Sequence, residues 1–458
     1  KERIVYHEFL INQLKVKARK SKALHLKAPI LSIDNGDLSG LKKYFPYELT
    51  NGQVESLAEI REDFKAGIPM SRMLQGDVGC GKTTVALLAA LIAIKNKGQV
   101  AIMCPTEALA LQHLKTFKEI LGDKISIEVL LGSTKKTDKN KINQSLIEGE
   151  IDLIIGTHSL IQETVQFQNL SLAIIDEQHK FGVAQRQTLC GKGPGVHCLI
   201  MTATPIPRSL QLAQYGDLEI STIRSMPSGR KGTKTRIVTP ETYGKYLSFI
   251  KTRISIGEQV YVVVPAIEES ETQTLNNIQN LREIYKKYFP ELKIAVLHGQ
   301  LKSPEKLQTM EQFTSGKIDI LISTTVIEVG INVLNSTVIS IYNPDRFGLS
   351  SLHQLRGRVG RGEKPGFCFL IAKDGVSEQA MQRIKVIEAS NDGFEIAEAD
   401  LKNRGEGNLF GSIQSGHMSD YKIANIFEHF PLFERVGKDL AVIQKEDPEM
   451  INDILIKI

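Results

Sequence analysis

Short apolar runs recur along the 458-residue chain and alternate with stretches of helical periodicity. Nearly every position of each run is apolar, which is typical of strands buried on both faces of a parallel sheet. A first series of runs occupies residues 100–103, 127–131, 153–155, 172–175 and 198–201. It predicts one α/β domain that ends near residues 226–229, where Pro and Gly interrupt the pattern.

A second series follows at residues 260–264, 294–297, 318–323, 338–341 and 367–371. The predicted fold class is therefore α/β, with two tandem parallel-sheet lobes. From residue 378 the pattern is helical, then Gly-rich, then helical again. We divide the chain into a linker helix with its connection (1–44), a first lobe (45–228), a second lobe (229–375) and a C-terminal helical and loop segment (376–458).

Two helices are predicted ahead of the first series. The first covers residues 9–26, from the apolar positions Phe9, Leu10, Leu14, Val16 and Leu24. Residues 1–28 hold eight Lys or Arg against two Glu, which fits either contact with a phosphate backbone or a solvated helix face. Thr50 is a candidate N-cap for the second helix, which holds Gln53 and runs to about residue 66.

Composition narrows the class of protein. Hydrophobic residues make up 41% and charged residues 24% of the chain, an ordinary balance for a globular protein. No apolar run reaches transmembrane length and no signal peptide opens the chain, so we expect a cytoplasmic protein with no membrane partner. Five scattered cysteines without a C-x-x-C pair argue against a zinc site or disulfide framework. Because the first residue is Lys1, we expect a fragment of a longer chain.

The residues 76–83, GDVGCGKT, match the phosphate-binding pattern G-x-x-x-x-G-K-[ST]. Apolar residues precede them and a helix-forming run follows, so the strand–loop–helix context is present. Glycines let backbone N–H groups converge on one anion at a helix N-terminus. Lys82 is predicted to contact the β- and γ-phosphates and Thr83 to ligate Mg²⁺, whereas an accidental Gly-rich turn is the alternative. The predicted nucleotide-binding residues are Gln53, Gly76, Asp77, Val78, Gly79, Cys80, Gly81, Lys82, Thr83 and Thr84.

Residues 172–180 read LAIIDEQHK, an apolar strand that ends in Asp176 and Glu177. Side chains at the carboxyl end of a parallel strand face the ligand crevice. We predict that Asp176 shares a Mg²⁺ ion with Thr83 and that Glu177 activates the attacking water. Gln53, about 25 residues ahead of the loop, has an amide donor and acceptor suited to the edge of adenine.

Residues 354–362, QLRGRVGRG, place arginines among glycines in the second lobe. Because arginine suits planar contact with phosphate, Arg358 and Arg361 are predicted to be catalytic, alongside Lys82 and Glu177. A basic surface loop is the alternative. A γ-phosphate held by one lobe and an arginine from the other would make a machine that closes on ATP.

Taken together, these residues resemble superfamily 2 helicases with two RecA-like lobes. The similarity lies in the order of Gln53, GDVGCGKT, PTE (105–107), GTH (156–158), DEQH (176–179), TATP (202–205), ISTTVIEVGINV (322–333) and QLRGRVGRG. Five wordings resemble one family, the bacterial RecG ATP-dependent DNA helicases: LQGDVG (74–79), DEQHKFGVAQR (176–186), MTATPIPRSL (201–210), STTVIEVGINV (323–333) and NDGFEIAEADLKNRGEG (391–407). The resemblance extends over nearly the whole chain.

The resemblance implies an ATP-dependent translocase on double-stranded DNA, with ATP and Mg²⁺ as cofactors. Enzymes of this family reverse stalled replication forks and unwind Holliday junctions, D-loops and R-loops in recombination and repair. It also implies a monomer in the bacterial cytoplasm, associated with the nucleoid. The expected partners are branched and double-stranded DNA, with a single-stranded DNA-binding protein as a further candidate.

The same resemblance assigns residues that couple ATP turnover to DNA movement. They are Thr202, Thr204, Thr325, Arg404 and Gln414. Three departures from the family pattern stand out: Cys80 replaces a serine, Asn332 stands where Asp is common, and the strand-splitting wedge domain is expected upstream of Lys1.

Other interpretations stay open from the sequence. The translocase module of a transcription-repair coupling factor shares TATPIPR, although it usually has Asp-Glu-Glu where this chain has Asp-Glu-Gln-His. An RNA helicase fits the lobes but not the segment after residue 375. A non-catalytic DNA-binding remnant is a third class, against which the full set of ATPase residues argues.

Overall fold

The computed structural model describes residues 1–24, 26–177, 181–207, 211, 216, 218–227, 229, 231–265, 271–324, 333, 335–360, 362, 364–404, 421–425 and 428–446. These residues form two compact units. The first contains residues 1–76, 80–225 and the described residues from 404 onward, and the second contains 77–79 and 226–403. Each unit is built on one parallel sheet, so the predicted α/β class with two tandem parallel-sheet lobes is confirmed.

The first unit holds a seven-stranded sheet in the order β3-β4-β2-β5-β6-β1-β7, with every neighbouring pair parallel. The central strands are buried along almost their whole length, as the continuous apolar runs predict. All five predicted runs of the first series are strands. The strands are β1 (Ser71–Gly76), β2 (Gln99–Met103), β3 (Ile127–Leu130), β4 (Leu153–Gly156), β5 (Leu170–Ile175), β6 (His197–Thr202) and β7 (Glu219–Ile223).

Among the described residues of the first unit, seven helices precede or connect these strands. The fourth helix, Lys82–Lys95, is apolar on nearly all sides. Ten of its fourteen residues are buried, because it packs against strands and against another helix. The helices are α1 (Glu2–Leu24), α2 (Asn35–Lys42), α3 (Asn51–Lys65), α4 (Lys82–Lys95), α5 (Glu107–Leu121), α6 (Lys136–Glu148) and α7 (Val183–Cys190).

The second unit holds a six-stranded sheet in the order β10-β11-β9-β12-β13-β8, again parallel throughout. Its strands are β8 (Thr233–Val238), β9 (Gln259–Val263), β10 (Ile294–Leu297), β11 (Ile320–Ser323), β12 (Ser336–Tyr342) and β13 (Gly366–Ile371). Its helices are α8 (Tyr243–Ser255), α9 (Glu271–Tyr288), α10 (Ser303–Thr314), α11 (Leu349–Arg356), α12 (Glu378–Ala389) and α13 (Gly393–Arg404).

Two strands escaped the sequence analysis, β7 and β8, and both lie at a sheet edge. Their sequences, EISTI and TKTRIV, alternate between exposed and buried positions. An edge strand has one neighbour and one open side, so it does not need a continuous apolar run. The criterion that found the buried central strands therefore could not find these two.

Helix α1 packs against α14 (Phe430–Glu446), the last described helix, within the first unit. Phe9 meets Tyr421 and Phe433 edge to face, with ring centroids 5.4 and 5.3 Å apart. The predicted start of this helix at residue 9 is wrong, since the helix begins at Glu2. Val5, one turn before Phe9, is fully buried in the same cluster. Phe433, which packs on Phe9, lies over 400 residues later in the chain, and helical spacing alone does not predict such a contact.

The Glu8 side chain links α1 to the segment just before α14. Its carboxylate accepts hydrogen bonds from the backbone N–H groups of residues 422, 423 and 424, at 3.1, 3.1 and 2.7 Å. Although burial acts to raise the pKa of Glu8, these three donors lower it below its usual value. The negative charge on Glu8 therefore stabilises the approach of residues 421–425 to α1.

No helix within the described ranges is both long enough and apolar enough to cross a bilayer.

We predict that Glu8→Gln loosens this contact. A group whose folded pKa is lowered stabilises the fold above its unfolded pKa, and that stabilisation is lost as pH falls through the folded pKa. Because the carboxylate is partly exposed, we expect hydrogen-exchange protection of the 422–424 amides to fall roughly threefold at pH 7. The protection in the variant should also lose its acid dependence. Glu2→Gln, on the exposed start of the same helix, is the control, and equal protection in all three proteins would contradict the role of Glu8.

Candidate nucleotide-binding site

Three of the motifs follow neighbouring strands of the first sheet. Strands β5, β6 and β1 are adjacent and parallel, with Ile175 beside Ile200 and Gln75 beside Thr202. Residue Gly76 ends β1, Asp176 follows β5, and Ala203 follows β6. Because carboxyl ends of parallel strands meet at one edge, segments about 100 residues apart in sequence emerge side by side.

The glycines of the loop are required by close contacts. Gly81 has φ +89°, and a Cβ there would lie 2.0 Å from Nε2 of Gln53. A Cβ on Gly76 would lie 2.5 Å from Sγ of Cys80 and 2.8 Å from the carbonyl oxygen of Ile223. Cys80 is itself buried and fills the space beside Gly76. The structure therefore gives Cys80 a packing role as a small residue of the loop.

Lys82 opens α4, immediately after the loop. Its Nζ donates to the carbonyl oxygen of Gly76 at 2.6 Å. No side chain caps the first turn of α4, so the positive end of the helix dipole faces the loop. A phosphate bound here would take the Lys82 ammonium in place of that carbonyl.

Residues Asp77, Val78 and Gly79 belong to the second unit. There the Asp77 carboxylate is hydrogen-bonded by Nε2 of His353, and it accepts from the backbone N–H of Gly393 at 3.2 Å. A Cβ on Gly357 would lie 2.7 Å from the Val78 side chain. Asp77 thus has partners from the helices α11 and α13.

Gln53 lies in the first turn of α3 and is 1% exposed. Its Oε1 accepts from the N–H of Thr50 at 2.9 Å, and the Thr50 hydroxyl accepts from the N–H of Gln53, which makes a capping box. Its Nε2 donates to the carbonyl oxygen of Cys80 at 2.8 Å. The amide that the sequence assigned to adenine therefore also joins α3 to the phosphate loop.

A cavity of about 720 Å³ borders this helix and was not predicted from the sequence. It is lined by Lys42, Lys43, residues 45–49 and Val54. The Tyr47 ring lies 5.9 Å from the Phe45 ring, and its hydroxyl shares a 2.9 Å hydrogen bond with Oγ1 of Thr84. The available signal was the aromatic pair six to eight residues ahead of Gln53. Aromatic walls of this kind suit a planar base.

Asp176 and Glu177 follow β5. Asp176 is 9% exposed, and its Oδ2 lies 2.9 Å from Nε2 of His113 on α5. Glu177 has a left-handed backbone with φ +54°, which costs a non-glycine residue roughly 1–2 kcal/mol. Such conformations cluster at functional sites. The next three residues, 178–180, lie outside the described ranges. His113 was missed because nothing in the sequence pairs it with Asp176.

The donor set at this edge fits Mg²⁺. A carboxylate and a hydroxyl are hard oxygen ligands, and Mg²⁺ is usually held by one or two protein groups plus phosphate and water. The described residues contain no cluster of three or more His, Cys, Asp or Glu that would form an all-protein metal site. Burial, with the nearby Asp176 carboxylate second, raises the pKa of the Cys104 thiol well above its usual value. Cys104 is therefore a neutral neighbour of the carboxylate.

Thr202 and Thr204 form a compact turn after β6. Oγ1 of Thr202 donates to the carbonyl oxygen of Thr204 at 3.2 Å and lies 3.1 Å from its Oγ1. Thr202 is 2% exposed, whereas Thr204 is partly exposed. In this conformation both hydroxyls are engaged with each other.

In the second unit, Arg356 and Arg358 are both buried at the end of α11. Arg356 donates to the carbonyl oxygens of Ile387 and Ser390 at 2.7 and 2.6 Å, and its Nη2 lies 2.7 Å from Nδ1 of His353. Burial lowers its pKa. Arg356 therefore holds α11 against the end of α12 and has a structural role.

Four of the predicted residues lie wholly or partly outside the described part of the chain. Arg361, Thr325 and Gln414 lie outside the described residues, and so does the side chain of Arg404, whose backbone ends α13. The predicted catalytic and coupling roles of these residues stay predictions, as do the other site assignments and the predicted domain boundaries.

Three family models match the chain. Residues 50–213 match the DEAD/DEAH box helicase model, residues 244–363 the helicase conserved C-terminal domain, and residues 390–454 domain 3, C-terminal, of the ATP-dependent DNA helicase RecG. The third model covers residues that follow the last strand, β13.

Curated relatives agree with these matches. The chain is 44% identical to the ATP-dependent DNA helicase RecG of Thermotoga maritima over 457 residues, which are 99% of this chain and 58% of that protein. It is 43% identical to RecG of Streptococcus pneumoniae, covering 98% of this chain and 67% of that protein. The chain thus spans little more than half of the Thermotoga relative.

Solved structures of helicases also match the chain. RecG bound to a three-way DNA junction matches with a TM-score of 0.76 and 41% identity, over 94% of this chain and 57% of that one. The DUF1998 helicase MrfA bound to DNA matches with a TM-score of 0.60 at 18% identity, a likeness of fold alone.

We predict that Gln53→Glu weakens the binding of both ATP and GTP. The glutamate keeps an acceptor for the Thr50 N–H but points a second oxygen at the Cys80 carbonyl, so the loop loses its donor. Leaving a buried acceptor unpaired costs about 1–3 kcal/mol, so we expect a roughly tenfold fall in nucleotide affinity. Fluorescent ATP and GTP analogues measure it, with the exposed Glu55→Gln on the same helix as control. A fall for ATP alone would restrict Gln53 to adenine contact.

We also predict that Arg356→Met destabilises the second unit. Two carbonyl oxygens lose a buried charged donor, a loss of about 3 kcal/mol, which corresponds to a melting temperature lower by roughly 6–12 °C. Differential scanning calorimetry measures this change. Arg346→Met, at an exposed position of the same unit, should leave the melting temperature unchanged. Equal melting of the two variants would show that the Arg356 bonds contribute little.

Proposed function

The chain belongs to the RecG family of ATP-dependent DNA helicases, and from that membership we propose that it couples ATP hydrolysis to movement along double-stranded DNA. The substrate we propose is branched DNA, such as stalled forks, Holliday junctions, D-loops and R-loops. Remodelling of these structures would serve recombination and repair.

One observation supports this proposal above the others. The phosphate loop, the Asp176–Glu177 pair and the Thr202–Thr204 turn follow three adjacent parallel strands, β1, β5 and β6. A phosphate cradle beside two carboxylates is the arrangement that nucleoside triphosphate hydrolysis needs. The relative solved with a three-way DNA junction supports branched DNA as the substrate.

Within the first lobe, Lys82 would bind the β- and γ-phosphates with the ammonium that now contacts Gly76. Thr83 and Asp176 would hold Mg²⁺, which when bound neutralises charge on the phosphates. Glu177 would orient the attacking water and accept its proton. The raised energy of its left-handed backbone is consistent with a position that is held for chemistry.

The base would stack in the cavity lined by Phe45 and Tyr47, with the Gln53 amide at its edge. Arg358 and Arg361 are the candidates for contact with the γ-phosphate from the second lobe. Such an arginine acts mainly on the transition state, so its loss should lower kcat by about 10³-fold or more.

Coupling to DNA would involve Thr202, Thr204, Thr325, Arg404 and Gln414. Support comes from the match of residues 390–454 to a RecG domain, which includes α13 and α14. One chain carries both lobes, so a monomer would be a complete motor. Branched DNA exposes single strands, so a single-stranded DNA-binding protein is the candidate protein partner. Because branched DNA forms in the nucleoid, the protein would act there.

The test is steady-state ATPase activity with a synthetic fork, a linear DNA duplex and an RNA duplex. We expect DNA to stimulate hydrolysis and RNA to do so weakly, with stimulation falling steeply as salt rises, since most contacts would be to phosphates. Hydrolysis that no DNA stimulates would contradict the proposed function. Stimulation by the fork alone would point to branch recognition within these 458 residues.

Two variants test the assigned chemistry. Lys82→Ala and Glu177→Gln should each abolish turnover, but only Lys82→Ala should lose nucleotide affinity, because Glu177→Gln keeps the phosphate cradle intact. Equilibrium binding of a fluorescent ATP analogue separates them. Hydrolysis by Glu177→Gln at the unmodified rate would exclude Glu177 as the group that activates water.

A further inference from the structure

His113 lies at the centre of the buried face of α5, and its surroundings are unusual for a histidine. Its side chain is 7% exposed and stacks on Phe117, with ring centroids 5.4 Å apart and planes 29° apart. The other buried positions of this helix are apolar or small: Leu109, Ala110, Phe117 and Leu121. A polar ring at such a position needs a partner.

That partner is Asp176. Nε2 of His113 lies 2.9 Å from Oδ2 of Asp176, across 63 residues of sequence. Since a carboxylate oxygen can only accept, Nε2 carries the hydrogen. The backbone N–H of Asp176 is also fixed, because it donates to the carbonyl oxygen of Met103 at 2.9 Å. One oxygen of the carboxylate, Oδ2, is thereby held by His113.

Helix α5 is itself tied down at its first residue. The Glu107 carboxylate accepts from the backbone N–H and the hydroxyl of Ser133, both at 2.9 Å, in the loop after β3. His113 follows fewer than two turns later on the same helix. A rigid helix therefore joins the loop at residues 131–134 to the Asp176 carboxylate.

We propose that His113 is a positioning residue that fixes the orientation of the Asp176 carboxylate toward bound Mg²⁺–nucleotide. Partners of metal ligands of this kind set ligand orientation, and their loss typically reduces metal affinity 10–100-fold. The inference rests on the proposed function only in taking Asp176 as the Mg²⁺ ligand. It adds a residue outside the phosphate loop that acts through Asp176.

The test measures how strongly Mg²⁺ tightens nucleotide binding, without any turnover. The affinity for a fluorescent ADP analogue is determined in EDTA and in Mg²⁺, and the ratio of the two is compared among variants. His113→Leu should lower that ratio about tenfold. His113→Gln should restore it, because the Gln Nε2 reaches about as far as the His Nε2. His113→Asn has the same amide one methylene shorter, so it should stay low.

A second buried histidine provides the matched control. His197 is fully buried in the same unit, where Nδ1 accepts from the N–H of Met70 and Nε2 donates to the carbonyl oxygen of Pro29. His197→Leu should lower the melting temperature and leave the Mg²⁺ ratio unchanged. A general loss of packing would instead lower the ratio in both histidine variants.

An unchanged ratio in His113→Leu, or equal ratios in His113→Gln and His113→Asn, would overturn the proposal. If His113→Leu does not fold, the comparison of the Gln and Asn variants decides alone. An unmodified chain with Mg²⁺-tightened binding but no DNA-stimulated hydrolysis would contradict the proposed function and leave the role of His113 to be decided by its variants. An unmodified chain whose binding Mg²⁺ does not tighten would overturn both.

Discussion

The parallel pairing of β5, β6 and β1 is the constraint on which the candidate site depends. These strands are buried on both faces, so helices must cover them and each connection must return to the same edge. As a result the loop after β1 and the carboxylates after β5 emerge beside the Thr202 turn, whatever their distance in sequence. The hydrogen bonds from Gln53 and His113 then fix individual groups at that edge. The sheet supplies proximity, and these side chains supply orientation.

The sequence predicted most of this architecture because central parallel strands have a strong local signal. It also predicted the N-cap at Thr50 and the end of α3 within a residue, since caps depend on chemistry within one turn. It missed β7 and β8, whose half-exposed edge positions resemble loop sequence. In the site, the phosphate loop stands between a strand and a helix as the pattern requires, whereas His113, Tyr47 and the tether role of Gln53 were not found. Each of these depends on contacts between residues 27 to 63 positions apart, which no local pattern encodes.

Several charged groups make contacts within the fold. Arg356, one of three arginines in the motif at 354–362, hydrogen-bonds to two carbonyl oxygens and a histidine. Arg72, near the start of β1, pairs with Glu59 and Asp63 on α3 and holds that helix against the sheet. In the basic helix α1, Lys20 pairs with Glu219 of β7. Residue type and spacing thus indicate where charge gathers, while the contacts within the fold show which charges already have partners.

The contact between α1 and α14 has a consequence for synthesis of the protein. Gln13 and Phe433, which are hydrogen-bonded in the folded chain, are separated by 420 residues. At typical rates of about 5–20 residues per second, α1 leaves the ribosome roughly 20–80 s before its partner exists. Throughout that time the apolar face formed by Val5, Phe9 and Leu14 has no α14 to cover it, although both sheets can already have formed. Helix α1 is therefore made early in this 458-residue stretch, but its apolar face is buried only after α14 has been made.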